Sequence, residues 1–158
     1  LEYVNNDKKL VLPNDYNGED YQISEYAFYD CTSLTSVIIP DSVTNIGDCA
    51  FSGCTSLISI TIPDGVTNIG NGTFFGCTSL TSVIIPDGVA NIENSTFYNC
   101  VRLTSVTIPN SVVIGNGAFV NCLSLKTIYY KGTEEEWNAI IKDSAWISGA
   151  NYTIIYNA

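Results

Sequence analysis

Apolar positions along this chain follow two periods at once. Locally, in Leu34-Thr-Ser-Val37-Ile-Ile39-Pro40, Val37 and Ile39 alternate with Ser36 and Ile38. That period of two marks a strand with one face buried. Over longer distances the whole pattern returns. Cys31, Cys54, Cys77, Cys100 and Cys122 recur at one constant interval, a single position shorter only in the last step. Leu34, Leu57, Leu80, Leu103 and Leu125 follow the same period, as do Phe28, Phe51, Phe74, Phe97 and Phe119, and Pro40, Pro63, Pro86 and Pro109. Each unit reads roughly I-P-D-x-V-T-N-I-G-x-x-A-F-x-G-C-T-S-L-T-S-V-x. So many columns held in register define a true internal repeat, which takes precedence over any other reading.

A unit this short is one turn of a coil. Leu34, Val37 and Ile39 point inward; Pro40 lacks an N–H and ends the strand ladder. The Pro-Asp-Ser or Pro-Asp-Gly that follows is turn chemistry, with Pro fixing φ and Gly allowing φ > 0. Val43 and Ile46 then face inward from the opposite wall, and Ala50, Phe51 and Cys54 fill the return corner. The pattern predicts a repeat solenoid: a right-handed coil, mostly β, with a parallel sheet on one face and turns and short strands on the other. A single turn cannot bury its own open faces, so turns must stack and the two ends need covers. At the N-terminal end Tyr3-Val4 and Leu10-Val11-Leu12 flank Asn5-Asn6-Asp7-Lys8, the outline of a hairpin. At the C-terminal end Thr133-Glu134-Glu135-Glu136 is a capping box before Trp137, Ile140 and Ile141, an i, i+3, i+4 stripe. This predicts one short capping helix over 134–142, its stripe laid over the last turn, and a closing strand over Tyr152–Tyr156. The chain is then a single domain over 1–158, with a cap and irregular first turn at 1–31, regular repeats at 32–130 and a C-terminal cap at 131–158.

Irregularities refine this picture. The stretch from Pro13 to Cys31 is longer by four positions than that from Pro40 to Cys54, which puts an insertion near Tyr16-Asn17-Gly18-Glu19-Asp20. One position is missing between Val112 and Ile114. Thr73 and Thr96 replace alanine in the corner column of Ala50 and Ala118, and their hydroxyls are expected to bond backbone carbonyls or each other. Glu93 replaces the glycine of Gly47, Gly70 and Gly115, so that column is expected to have φ < 0.

Composition and charge narrow the chemistry. The chain is 46% hydrophobic and 14% charged, with 6 Lys+Arg against 16 Asp+Glu and a net charge of −10. That sign repels phosphate backbones and anionic lipid, which makes nucleic acid and membrane surfaces poor partners. No apolar run approaches the ~20 residues of a membrane helix, so membrane insertion is not expected. The chain has no Met, starts at Leu1 and carries no signal segment, as expected of a piece of a longer protein. With no His, neither Ser-His-Asp nor Cys-His catalysis is available. Stacked cysteines one turn apart have parallel Cα–Cβ bonds, a poor geometry for disulfides. The column is therefore expected to be reduced, buried and in line, with Cys49 a lone, partly exposed thiol in the column of Gly72, Ser95 and Gly117. Without His or C-x-x-C spacing, no metal ligand set and no cofactor is expected. Asp41, Asp64, Asp87 and Asn110 form a column one turn apart, read as turn formers or as a cation ladder. Glu19-Asp20 and Glu134–Glu136 read as solvated charge, the latter complementing a helix N-terminus. Sequons at Asn71, Asn94 and Asn151 acquire meaning only in a eukaryotic secretory host.

The repeat resembles the BspA-like, Treponema-type leucine-rich repeats, whose pattern runs L-x-x-L-x-L-P-x-x-L-x-x-I-x-x-x-A-F-x-x-C. Leu57, Ile60, Ile62, Pro63, Val66, Ile69, Thr73 (alanine in the family), Phe74 and Cys77 match it, and Tyr130 to Trp137 resembles the segment that often ends such arrays. The resemblance runs from Leu10 onward. It implies a leucine-rich-repeat coil from a secreted or cell-surface protein that attaches to host or matrix proteins, with no catalytic residues to carry over. The chain is thus expected to be a monomeric, non-catalytic, adhesin-like binding module for a protein partner, outside the cell or on its surface. Its binding face would be the outer side of the strand sheet: Ser36, Ile38, Ser59, Thr61, Ser82, Ile84, Ser105, Thr107, Thr127 and Tyr129. Two alternatives stand beside this reading. A structural spacer or display module of a larger surface protein fits the near-identity of the turns. A glycan-binding module fits Tyr16, Tyr21, Tyr26 and Tyr29 near one end and Tyr129, Tyr130 and Tyr156 near the other, because sugar rings stack on exposed aromatics.

Overall fold

The alternating segments form strands, and the computed structural model, which describes residues 8–158, stacks them turn upon turn. Chain order runs β1 (Lys9–Val11), β2 (Tyr21–Ile23), β3 (Ser36–Ile38), β4 (Val43–Ile46), β5 (Ser59–Thr61), β6 (Asn68–Ile69) and β7 (Ser82–Ile84). It continues with β8 (Asn91–Ile92), β9 (Ser105–Ile108), β10 (Val113–Ile114), β11 (Phe119–Val120), β12 (Thr127–Tyr130), helix α1 (Glu134–Ala139), β13 (Ile147–Ser148) and β14 (Thr153–Tyr156). One wall is a seven-stranded sheet in the order β1-β3-β5-β7-β9-β12-β14; the facing wall is built of the short sheets β2-β4-β6 and β8-β10, with β11-β13 at the C-terminal corner. The pairings between these strands are all parallel, as successive turns of one coil must be. Ser36, Ser59, Ser82, Ser105 and Thr127 pair in sequence, so the repeat register is the strand register.

The corners explain why the turns stay at constant pitch. In each corner two residues take left-handed backbone: Tyr26 and Asp30, Cys49 and Gly53, Gly72 and Gly76, Ser95 and Asn99, Gly117 and Asn121. These aim alternate N–H groups along the coil axis. Thus Cys49 N, Phe51 N and Gly53 N donate to Asn71 O, Thr73 O and Phe75 O of the next turn at 2.9, 2.9 and 2.8 Å. The Gly47, Gly70 and Gly115 column has negative φ, as does Glu93. Glycine serves close approach there: a Cβ on Gly47 or Gly70 would come within 2.6 Å of the backbone nitrogen of Glu25 or Asp48.

Inside, the expected columns are present. Leu34, Leu57, Leu80, Leu103 and Leu125 are buried, and the phenylalanines stack with centroids 5.0, 5.7, 5.3 and 5.2 Å apart. The insertion in the first turn forms a tight hairpin, with Tyr16 and Glu19 exchanging backbone hydrogen bonds across Asn17 (φ 58°) and Gly18 (φ 80°). Two successive positive φ values define a type I′ turn, for which Asn-Gly is suited. The expected N-terminal hairpin falls mostly on residues 1–7, outside the described residues. Its second arm is β1, which joins the long sheet in parallel with β3.

The C-terminal cap departs from expectation in extent. The capping box is formed, Thr133 Oγ1 accepting from Glu136 N at 3.2 Å and Thr133 N donating to Glu136 Oε2 at 2.8 Å. The helix nevertheless ends at Ala139, not 142. Beyond it the chain runs extended so that Ile114 N can donate to Ile141 O and Asp143 N to Ile114 O, each at 2.9 Å. Extended backbone alternates its faces. Ile140 therefore packs on the core while Ile141 stands 69% exposed, correcting its place in the buried stripe. Trp146 takes over that role. It meets Phe119 edge-on at 6.1 Å, Trp137 at 5.8 Å and Tyr152 at 5.9 Å, ending the phenylalanine stack with an aromatic lid. Lys142 lies over the Trp137 ring at 4.6 Å and its Nζ donates to Trp137 O and Ile140 O, tying down the last carbonyls of the helix.

Trp137→Ala should lower stability by about 3–5 kcal/mol, Thr133→Ala by about 1 kcal/mol and Ile141→Ala by less than about 0.5 kcal/mol in urea melts. Deleting residues 131–158 should turn the protein into aggregates by light scattering, because it bares the sheet edge and the core end. Ser95→Gly should raise stability by about 0.5–1 kcal/mol, since a left-handed residue with a Cβ is strained where Gly72 and Gly117 are not. An unchanged urea midpoint for Ser95→Gly would show that the corner carries no such strain.

Candidate binding face

Strand alternation sorts the outer face of the long sheet into two rows. The first is Ser36, Ser59, Ser82, Ser105 and Thr127. The second runs Ile38, Thr61, Ile84, Thr107 and Tyr129, with Val37, Ile60, Val83, Val106 and Ile128 between the rows pointing into the core. All ten residues expected on this face are there. Ile38 is 60% and Ile84 63% exposed, Ser59, Thr61, Ser82 and Tyr129 are exposed, and Ser36, Ser105, Thr107 and Thr127 are half-buried by their neighbours. Strand pairing extends the second row at both ends, through Val11 beside Ile38 and Ile155 beside Tyr129, 67% and 45% exposed. Reading Leu10-Val11-Leu12 and Tyr152–Tyr156 only as covers misses both residues. The alternation within those two segments is the signal that finds them.

The other candidate chemistry resolves into structure. All six cysteines are free, and four of the five in the column are fully buried. Cys31 is only half-buried, a correction, because the first turn is irregular and leaves the end of that column partly open. Each buried thiol donates to the carbonyl of the phenylalanine one turn back: Cys54 to Phe28, Cys77 to Phe51, Cys100 to Phe74 and Cys122 to Phe97, at 3.1–3.2 Å. Burial, and then the neighbouring thiols for Cys54, Cys77 and Cys100, pushes the column up: Cys54 and Cys122 to about 12, Cys77 and Cys100 well above the ordinary 9. Such thiols are protonated and poor nucleophiles. Cys49 is half-buried beside Tyr26, as its column implied. Thr73 and Thr96 are buried in the alanine column, with Thr73 Oγ1 donating to Gly70 O at 2.7 Å and Thr96 Oγ1 to Glu93 O at 2.7 Å.

Asp41, Asp64 and Asp87 lie exposed on one edge, and Asp87 pairs with Lys131 at 2.7 Å. Among the described residues no three His, Cys, Asp or Glu side chains gather around one position suited to an ion. The tyrosines divide. Tyr16, Tyr26 and Tyr29 are exposed, whereas Tyr130 is buried in the C-terminal cap with its hydroxyl on Asn110 O at 2.6 Å, so it offers no stacking face. No helix among the described residues is long and apolar enough to cross a membrane.

This architecture is that of a leucine-rich-repeat solenoid. The chain belongs to the BspA type leucine rich repeat family, whose pattern matches six times across residues 21–143. It is similar to a leucine rich cell surface protein from Faecalibacterium prausnitzii A2-165, at 40% identity and a TM-score of 0.80 over 87% of this chain and 36% of that one. It thus spans about a third of the length of that relative. The T. pallidum leucine rich repeat protein is similar at 31% identity and a TM-score of 0.78, over 98% of this chain and 76% of that one. A leucine-rich repeat protein from Eubacterium ventriosum shares 25% identity with a TM-score of 0.70, over 93% of this chain and 44% of that one. No curated protein sequence matches the chain.

The thiol column makes stability depend on pH. A thiol held neutral by burial contributes fully below its unfolded pKa, near 9, and its contribution is lost as pH climbs from there through the folded value of about 12. The urea midpoint should therefore fall between about pH 8 and about pH 10.5, and fall less in Cys77→Ala/Cys100→Ala. Titration of denatured protein without reductant should find all six thiols. Missing thiols or a flat pH profile would show that the column is not a set of buried neutral thiols.

Proposed function

We propose that this chain is a non-catalytic binding module of a bacterial surface protein, which presents the outer face of its long sheet to a protein partner of the host or matrix. Ser36, Ile38, Ser59, Thr61, Ser82, Ile84, Ser105, Thr107, Thr127 and Tyr129 form the contact surface, flanked by Val11 and Ile155. The observation that carries this reading is the row of exposed apolar side chains on a rigid sheet, Val11, Ile38, Ile84, Tyr129 and Ile155. A soluble sheet face normally places polar residues there, and this row of apolar exposure, interrupted by Thr61 and Thr107, supports a contact surface. A rigid face also loses little conformational entropy on binding. The extracellular or surface location rests on family membership and on the cell surface relative.

The spacer reading has an observation of its own: Thr32–Asp41 and Thr78–Asp87 are identical in sequence. Recognition surfaces usually vary from turn to turn, whereas a stalk can repeat.

An immobilised panel of matrix proteins (fibronectin, laminin and collagen) separates the two. Ile38→Glu/Ile84→Glu should leave the urea midpoint within about 0.5 kcal/mol of the parent and weaken binding about tenfold or more, since charge enters the centre of the contact. No binding by the parent would favour the spacer, and equal binding by parent and variant would overturn the sheet face as the contact surface.

A further inference from the structure

Among the described residues charge is segregated by wall. The segments that form the outer face and its approach, 8–12, 31–39, 54–62, 77–85, 100–108 and 122–130, contain none of the 16 Asp and Glu. They hold four of the six basic residues, Lys8, Lys9, Arg102 and Lys126. The other two are engaged elsewhere, Lys131 with Asp87 and Lys142 on Trp137. In a chain of net charge −10 this face is locally cationic.

A groove runs across the turns where the chain enters the strands. It is an open depression of about 310 Å³ lined by Thr35, Ser56, Ile58, Ser79, Thr81 and Arg102. Arg102, the sole arginine, occupies the column filled by Ser33, Ser56, Ser79 and Ser124 in the other turns. Its side chain makes no ion pair or hydrogen bond among the described residues. Lys126 precedes Thr127, which pairs with Ser105, so it stands beside Thr104, one turn beyond Arg102. In the groove Thr81 Oγ1 donates to Ile58 O at 3.2 Å and Thr35 Oγ1 to Lys8 O at 2.6 Å, which leaves both oxygens free as acceptors. Ile58, 52% exposed, supplies an apolar floor between them.

We propose that this groove binds a linear acidic glycan whose anionic groups are carboxylates, laid along the coil axis. A unique, unpartnered guanidinium offers two parallel N–H donors, the fork that matches a carboxylate. Thr35, Ser56, Ser79 and Thr81 bring hydroxyls from three successive turns to the groove, and turns stacked at the 5.0–5.7 Å spacing of the phenylalanine rings suit a polymer whose sugar residues advance by a similar step. Ile58 takes the apolar C–H face of a ring. Charge density selects the class: Lys8 and Lys9 lie at one end and Arg102 and Lys126 at the other, with neutral turns between. A sparsely charged uronate polymer satisfies this spacing, while a dense polyanion meets the repulsion of the whole chain. The proposal does not rest on protein binding by the sheet face, whose Ser36, Ser59 and Ser82 adjoin Thr35, Ile58 and Thr81 of the groove.

The test is calorimetry on the full chain with hyaluronan oligosaccharides, against heparin oligosaccharides, neutral dextran and poly-glutamate. Arg102→Ser/Lys126→Thr restores the residues found in other turns, so its urea midpoint should equal that of the parent. Its hyaluronan affinity should fall about tenfold or more, the loss expected of two charge-assisted contacts. Lys131→Ala, which removes a positive charge outside the groove, should change affinity less than about twofold. Hyaluronan binding that is absent in the parent, or lost equally in Lys131→Ala, overturns the proposal. Dextran bound as tightly as hyaluronan overturns the role of the carboxylate. Binding of poly-glutamate without hyaluronan overturns the proposal in favour of an acidic protein segment, and tighter binding of heparin overturns the choice of a sparse carboxylate polymer.

Discussion

Every turn of this coil is hydrogen-bonded to the next at three alternate corner amides, and that contact sets the terms for the rest of the molecule. Phe28 N, Phe51 N, Phe74 N and Phe97 N each reach a carbonyl one turn on, at 2.8–2.9 Å. The strands pair at the opposite wall in the same register. With pitch fixed from both sides, like residues face like. A column can hold only a residue type that tolerates its own copy a turn away. Phenylalanine does so by offset stacking, leucine by packing, and cysteine by aiming its thiol at a backbone carbonyl. Charged groups do not, and the aspartate column accordingly lies in water, where like-charge repulsion is weak.

A structure built from self-stacking columns has no internal reason to stop, so its ends need other chemistry. At the C-terminus edge-to-face aromatics replace parallel stacking: Trp146 stands across Phe119, and Trp137 across Tyr130. A perpendicular ring presents no matching surface to a further turn. The short helix places Trp137 there, and Lys142 holds the extended chain that leaves it. At the N-terminal side the inserted residues are taken up in one tight Asn-Gly hairpin, which leaves the register of β2 with β4 open to a small shift but preserves the pairing of β1 with β3.

The same regularity shapes function. A coil whose turns are nearly alike presents nearly alike groups at even spacing, so the proposed recognition would depend on the few places where a column changes. Those are Ile38 and Ile84 among threonines and Tyr129 on the outer face, and Arg102 among serines in the groove beside it. Among the described residues the acidic side chains lie outside the strand segments of this face, which gives it an electrostatic character opposite to that of the whole chain.

The repeat, the inward columns, the outer rows of the sheet, the capping box and the buried threonine hydroxyls were all legible in the sequence. A constant repeat length determines which side chains are neighbours before any coordinates exist. Local patterning could not say which corner positions turn left-handed, because Tyr26, Cys49 and Ser95 give no sign of it; only hydrogen bonding to the next turn demands it. Nor could helical spacing reveal that Ile141 leaves the core, since what draws the chain out of the helix is a bridge from Lys142 back to Ile114, a full turn earlier. The opening of Cys31, the burial of Tyr130, the place of Trp146 and the groove at Arg102 were likewise settled in three dimensions. All lie at ends or between turns, where a residue's surroundings come from distant parts of the chain and the repeat no longer supplies them.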